Sequence, residues 1–164
     1  MSNVFTCSPV TTITAVGTFT EPVFIQCLLQ PGAKLPHRQH QWDAGADLFA
    51  WLNGQASIKI YPGEQHMVDT GVAVKIPATF AGFVYNRSSQ GKRGIGIPNS
   101  VGVIDSEYRG TIKVLLKNFS DDVYTINQHD RIAQLVVQRV ELPQFVDIWN
   151  DTQRGTGGFG STGT

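Results

Sequence analysis

Helical periodicity is what this chain lacks: no window of about eleven residues carries apolar side chains at i, i+3, i+4 and i+7, while Gly, Pro, Asn and Asp turn signals recur about every 8–12 residues. A chain with that rhythm must bury its apolar residues on short strands, in a sandwich, jelly roll or barrel. Val23 to Leu29 is a β-run stopped by Pro31-Gly32, Ile58 to Tyr61 alternates up to Pro62-Gly63, and Gly71 to Ile76 alternates up to Pro77. Gly82 to Tyr85, Thr111 to Asn118, Val123 to Ile126 and Ile132 to Val140 extend the series. The expected fold class is all-β.

Three regions follow. Residues 1–21 form an N-terminal extension that suits an added edge strand, through Thr11 to Val16, or an arm. Residues 22–150 make one domain, and a chain of 164 residues can bury a sizeable core without disulfide or metal. Residues 151–164 are glycine-rich with Phe159 as their apolar bulk, too little to hold a fixed structure alone. Just ahead of them Phe145, Val146, Ile148 and Trp149 lie on an extended stretch with no hairpin partner in its own chain, which leaves it free to pair elsewhere.

Charge and cysteine usage narrow the function. Thirteen basic residues balance thirteen acidic ones, which argues against a nucleic-acid partner. Arg87, Lys92, Arg93, Arg131 and Arg154 could still converge on a small polyanion. Cys7 and Cys27 read as reduced thiols, the N-terminus lacks the pattern of an export leader, and no apolar run reaches about eighteen residues, so a cytoplasmic protein with no membrane span is expected. His37, His40, His66 and His129 read as exposed loop histidines rather than metal ligands.

Two stretches can do chemistry. Asn99 to Gly110 reads as a hairpin turn in which Gly102 permits a positive φ or a close approach, Val103 and Ile104 make an apolar step, and Asp105 and Tyr108 project beside any guest. Such a turn can grip a planar base with its own N–H and C=O groups; an aspartate there can equally be an Asx-type cap. Arg87, Ser88 and Ser89 offer a cation, two hydroxyls and main-chain N–H groups in a short loop, and Gln134 adds an amide, which together suit a phosphate. Gly155 to Gly160 spans the glycine spacing of a P-loop, but Ser161 and Thr162 follow with no lysine, so that reading fails.

Taken in order, Asp43 to Ala50, Arg87 to Gly91, Gly102 to Gly110, Arg131 to Leu135 and Arg154 to Ser161 resemble the five motifs of the homotrimeric deoxyuridine triphosphatases (dUTPases), over about residues 23 to 164. The resemblance implies a jelly-roll-like β-barrel, three chains sharing active sites, and hydrolysis of dUTP to dUMP and pyrophosphate. It assigns the water-activating carboxylate to Asp105, the sugar-discriminating ring to Tyr108, and uracil recognition to Asn99 with the main chain of Gly102, Val103 and Ile104. It gives the phosphates to Arg87, Ser88, Ser89, Gln134 and Arg154, with Phe159 stacking on the base and the backbone at Gly160 reaching the phosphates as the tail closes. Mg²⁺ is the implied cofactor, held mainly by the substrate and touched through water by Asp47, unless Arg131 pairs with Asp47 structurally.

Asn86 and Ser89 depart from the family pattern, which usually has proline before the arginine and glycine after Arg-Ser. Arg-Ser-Ser resembles instead the dCTP deaminases of the same fold, although Leu115 stands where those enzymes place their catalytic glutamate. A zinc-type deaminase is excluded, because no His-x-Glu with Pro-Cys-x-x-Cys occurs. A non-catalytic nucleotide-binding trimer is the third alternative.

Overall fold

A computed structural model of the chain describes residues 23–150 together with Thr152, Gly155 and Thr156. The expectations for residues 1–21, and for Arg154, Phe159 and Gly160, lie outside the described residues.

The described residues hold ten strands and one short helix in chain order: β1 (Gln26–Leu29), β2 (Ala46–Phe49), β3 (Ser57–Ile60), β4 (Gln65–Lys75), β5 (Phe80–Tyr85), α1 (Ser88–Lys92), β6 (Ile95–Gly96), β7 (Gly102–Ile104), β8 (Thr111–Asn118), β9 (Tyr124–Asn127) and β10 (Arg131–Arg139). One sheet has the order β1-β4-β8-β6, a second β2-β10-β5-β7, and β3 pairs with β9. Alternation does the layering. In β8, Ile112, Val114 and Leu116 are buried while Lys113 is exposed, so one face joins the core and the other faces out. Leu48, Val72, Val84, Ile126, Ile132 and Leu135 meet them from the other strands. Each fully buried aliphatic side chain contributes about 1.5–3 kcal/mol relative to exposure. The all-β expectation is met.

Several details differ from the sequence reading. β4 begins at Gln65, six residues before the expected start, because Gly71 sits inside the strand and not at its edge. Its φ is +65°, and a Cβ there would lie 2.8 Å from Cγ of Trp51 and 2.7 Å from Cβ of Ala33. The ladder with β8 shifts register between Asp69 and Ala73, and Asp69 ties the bulge by accepting from the Gly71 N–H (2.8 Å) and the Thr111 hydroxyl (2.9 Å).

Asn99 to Gly110 is also not a hairpin. β7 pairs with β5 in the second sheet, while β8 pairs with β4 and β6 in the first, so residues 105–110 cross between sheets. Gly102 does not need a positive φ; it is small because Val84, its cross-strand partner, would stand 3.2 Å from a Cβ. The positive φ of this stretch falls on Ser100, at +64°. Finally, Ser88 to Lys92 forms one helical turn with Arg87 as its extended N-cap, where a loop was expected.

Beyond β10 the Val140 N–H still bonds the Thr79 carbonyl (2.8 Å). Phe145 (96% exposed) and Trp149 (88%) then stand out in solvent, and among the described residues this apolar stretch pairs with no strand.

Candidate functional site

The polar residues that the sequence singles out fall into two places. The first is an open cleft of about 490 Å³ where the ends of β2, β5 and β10 meet, walled by Asp47, Arg87, Ser88, Ser89, Arg131 and Gln134 and by the loop residues Gln39, His40 and Asp43. Asp47 is its centre. Register sets Asp47 opposite Gln134, and Gln134 opposite Tyr85 on the other side, so the residues just after β5 arrive beside both. Arg87 donates through Nε to Oδ1 of Asp47 (2.7 Å), and Arg131 donates through Nη1 to Oδ2 (3.2 Å). Arg131 pairs with Asp47, the structural alternative that the sequence left open.

Local chemistry fixes each of these side chains. The Asn86 side chain accepts from the Arg87 N–H (3.0 Å) and donates to the Ile95 carbonyl (2.8 Å). Ser89 Oγ accepts from Arg87 Nη1 (3.2 Å), so both departures from the family pattern bond to Arg87. Gln134 donates through Nε2 to the Asn86 carbonyl (2.9 Å), and its amide lies against Gly45, where a Cβ would strike Gln134 Oε1. At the rim the backbone N–H of His40 holds the exposed Asp43 carboxyl below its ordinary value. Asp43 and Gly45 lie in the first of the five motifs but were given no individual role, and Gln39 to Trp42 lie outside it; their roles depend on contacts that spacing does not reveal.

The second place is a shallow groove of about 240 Å³ formed by Val103, Ile104, Asp105 and Tyr108 with Met67 and Lys113. The last two come from the outer face of the first sheet and were missed for that reason: only the crossing of residues 105–110 brings the turn over them. Tyr108 donates to the Thr111 carbonyl (3.0 Å), and its ring covers Gly110, where a Cβ would strike the phenol oxygen. Asp105 is exposed. β7 is the edge of its sheet, so one side of Gly102 to Ile104 faces no strand of the described residues. Asn99 stands just before it, with Nδ2 3.5 Å from the Val101 carbonyl.

Cleft and groove share no residue. One register step beyond Ile104↔Gly82 sets Asp105 level with Ala81, six residues before Arg87, or about 20 Å along the strand. Within one chain the carboxylate and the two-arginine cleft do not face the same point.

Comparison with known proteins takes in both places. The family model described as dUTPase matches residues 32–163, which hold both of them. The chain belongs to the dUTPase family. Among relatives, the deoxyuridine 5'-triphosphate nucleotidohydrolase of Mycolicibacterium gilvum is 44% identical over 144 residues, 82% of this chain and 91% of that protein. The enzyme of the same name from Corynebacterium diphtheriae is 44% identical over 139 residues, 82% of this chain and 89% of its own. Among solved dUTPases, a mutant from Staphylococcus bacteriophage 80alpha bound to dUpNHpp aligns with a TM-score of 0.73 at 28% identity, covering 86% of this chain and 99% of that one. A mutant dUTPase from phage phi11 of S. aureus, described with a structural Mg(II) ion, aligns at 0.68 and 27% identity, covering 77% and 97%.

Proposed function

We propose that this chain hydrolyses dUTP to dUMP and pyrophosphate by attack of water on the α-phosphate, in sites assembled from three chains. The observation that carries the reading is the dUTPase match across residues 32–163, which takes in cleft and groove together. The edge of β7 presents main-chain N–H and C=O groups to the O4, N3–H and O2 edge of uracil, with Asn99 at its end. Cytosine inverts that pattern at two positions and leaves buried groups unpaired, at roughly 1–3 kcal/mol each. The Tyr108 ring, held over Gly110, packs under the deoxyribose where a 2′-hydroxyl has no room.

Asp105 takes the proton of the attacking water as its oxygen bonds to the α-phosphorus and the bond to the bridging oxygen breaks. Ser88, Ser89, Gln134 and the arginines of the cleft receive the negative oxygens, and the pyrophosphate leaves through its open mouth. The roughly 20 Å between Asp105 and Arg87 supports a site in which one chain brings the groove and another the cleft. Arg154 meets the γ-phosphate and Phe159 stacks on uracil from the third.

The residues present suit Mg²⁺ as an outer contact only. Among the described residues no group of three or more His, Cys, Asp or Glu could hold a metal. Asp47 accepts three guanidinium N–H contacts, from Arg87 Nε (2.7 Å) and Nη2 (3.5 Å) and from Arg131 Nη1 (3.2 Å), which leaves about one of its four lone-pair sites for a water. The ion, bound mainly by the triphosphate, would neutralise charge that develops on the phosphates.

The test is direct. Protein incubated with dUTP, dCTP, UTP and dTTP plus Mg²⁺ should yield dUMP and pyrophosphate from dUTP and little from the others. Asp105→Asn should lower kcat at least about a hundredfold while a non-hydrolysable analogue still binds. Ammonia from dCTP would establish the deaminase instead, and normal kcat in the mutant would remove Asp105 from the mechanism.

A further inference from the structure

Side chains of β4, rather than a regular ladder, hold the start of β8. Asp69 pairs with Lys113 and Ala73 with Thr111, so β4 carries two extra residues across this interval. The bulge supplies its own replacements for the interrupted ladder. Thr70 Oγ1 donates to the Ile112 carbonyl (2.8 Å) and accepts from the Val72 N–H (3.3 Å), while Asp69 Oδ2 accepts from Thr111 Oγ1 (2.9 Å). The other carboxylate oxygen of Asp69 is fixed by the Gly71 N–H (2.8 Å), and the Asp69 carbonyl by the Trp51 N–H (2.8 Å), which sets the direction in which Asp69 meets Thr111.

Tyr108 is tied to the same residue. Its hydroxyl donates to the Thr111 carbonyl (3.0 Å), the one side-chain hydrogen bond it makes among the described residues. Tyr108 is 42% exposed, and its ring rests on Gly110, so packing supports it on part of its surface only. A continuous chain of contacts therefore runs from the bulge in β4 through Asp69 and Thr111 to the ring in the groove. Neither Asp69 nor Thr111 lines that groove.

On the reading of Tyr108 as the ring that excludes a 2′-hydroxyl, we propose that Asp69 and Thr111 are positioning residues for sugar discrimination: the carboxylate holds Thr111, and the Thr111 carbonyl sets how close the ring stands to the sugar. A ring anchored at its hydroxyl cannot retreat when a 2′-hydroxyl presses on it. A ring anchored only through its Cβ can turn about χ1 and χ2 and admit the ribonucleotide. Discrimination then depends on the bulge of the first sheet as well as on the segment that carries the ring.

The experiment measures kcat/KM for dUTP and for UTP on one preparation of each full-length variant, so that the ratio cancels any loss of active protein. Thr111→Val, which keeps the β-branched shape and removes the hydroxyl, should lower the dUTP-to-UTP ratio about fivefold, the worth of one hydrogen bond. Tyr108→Phe should do the same, and the double variant should go no further than either alone, because both cut one chain of contacts. Thr111→Ser, which keeps the hydroxyl, and Ile112→Val, which loosens the same stretch of β8 while sparing these hydrogen bonds, should each stay within about twofold of wild type. An unchanged ratio in Tyr108→Phe overturns the inference even where Thr111→Val does not fold, since the phenol hydroxyl would then set nothing. An unchanged ratio in folded Thr111→Val, an equal fall in Ile112→Val, or a double variant lowered about 25-fold also overturns it. A wild type that cleaves UTP as readily as dUTP, or a Tyr108→Ala variant that keeps the wild-type ratio, overturns the reading of the ring and this inference together. A selective wild type whose ratio collapses in Tyr108→Ala and holds in Tyr108→Phe and Thr111→Val overturns this inference alone.

Discussion

Gly45→Ala should act on the protein through one side chain, Gln134. Gly45 has no positive φ, so alanine fits its backbone, and the loss of unfolded-chain freedom would by itself stabilise by about 0.4–1 kcal/mol. The new methyl, however, would strike Gln134 Oε1 and stand 3.0 Å from its Cδ. The amide has to swing away, which breaks its 2.9 Å bond to the Asn86 carbonyl at a cost of about 1 kcal/mol and forces χ angles off their minima at about another. A net loss of about 1–1.5 kcal/mol is expected. In a Gln134→Ala background the clashing atoms are gone and only a 3.2 Å contact with the Cβ of residue 134 remains, so the same glycine change should cost nothing within about 0.5 kcal/mol. The assay is a double-mutant cycle, read by denaturant melts at fixed protein concentration and by kcat/KM for dUTP. If Gly45→Ala costs the same in both backgrounds, its effect does not pass through Gln134 and the reasoning fails.

Two further outcomes can be checked. Asp105→Asn chains and chains ending at Gln153, each inactive alone, should regain about a quarter of wild-type activity when unfolded and refolded together in equal amounts, because a cyclic trimer of mixed chains has one site with both parts intact; activity no greater than the parents' sum in proven mixed trimers would refute sharing. Burial raises the Cys27 thiol above its ordinary 9.0. The unfolded chain therefore ionises first as pH rises, stability is lost above about pH 9, and iodoacetamide at pH 8 should label Cys27 more slowly in the native protein than in urea, as peptide mass spectrometry would show.

The parts of this molecule that follow from alternation were legible in the sequence, and those that follow from a register jump were not. β8 reads directly because its period of two is unbroken from Thr111 to Asn118. β4 was cut short because Gly71 looks like a terminator when only the neighbouring Trp51 ring and the bulge at Asp69 explain it. The same applies to the site. Asp47, Arg87, Ser88, Ser89, Arg131 and Gln134 line one cleft, as the motifs led one to expect, but the extra residue in β10 that carries Arg131 there leaves no mark in composition. Asp105 and Tyr108 line one groove, but from a crossing between sheets rather than the expected hairpin, because the partner of β7 lies some twenty residues upstream and local patterns cannot name it.

The placement of Asp105 and Arg87 at opposite ends of β5 has a consequence for how such a protein comes into being. On the proposal that each site is shared between copies, a lone chain can complete its core and still be chemically silent, since the carboxylate looks out on one flank and the guanidinium pair on the other. Activity then reports encounter rather than folding: specific activity should fall on dilution while the spectrum of the folded chain stays the same. Selection on turnover would thus act on surfaces far from either half of the site. A substitution that merely loosens the contact between copies would look, in a cell, like the loss of a catalytic group.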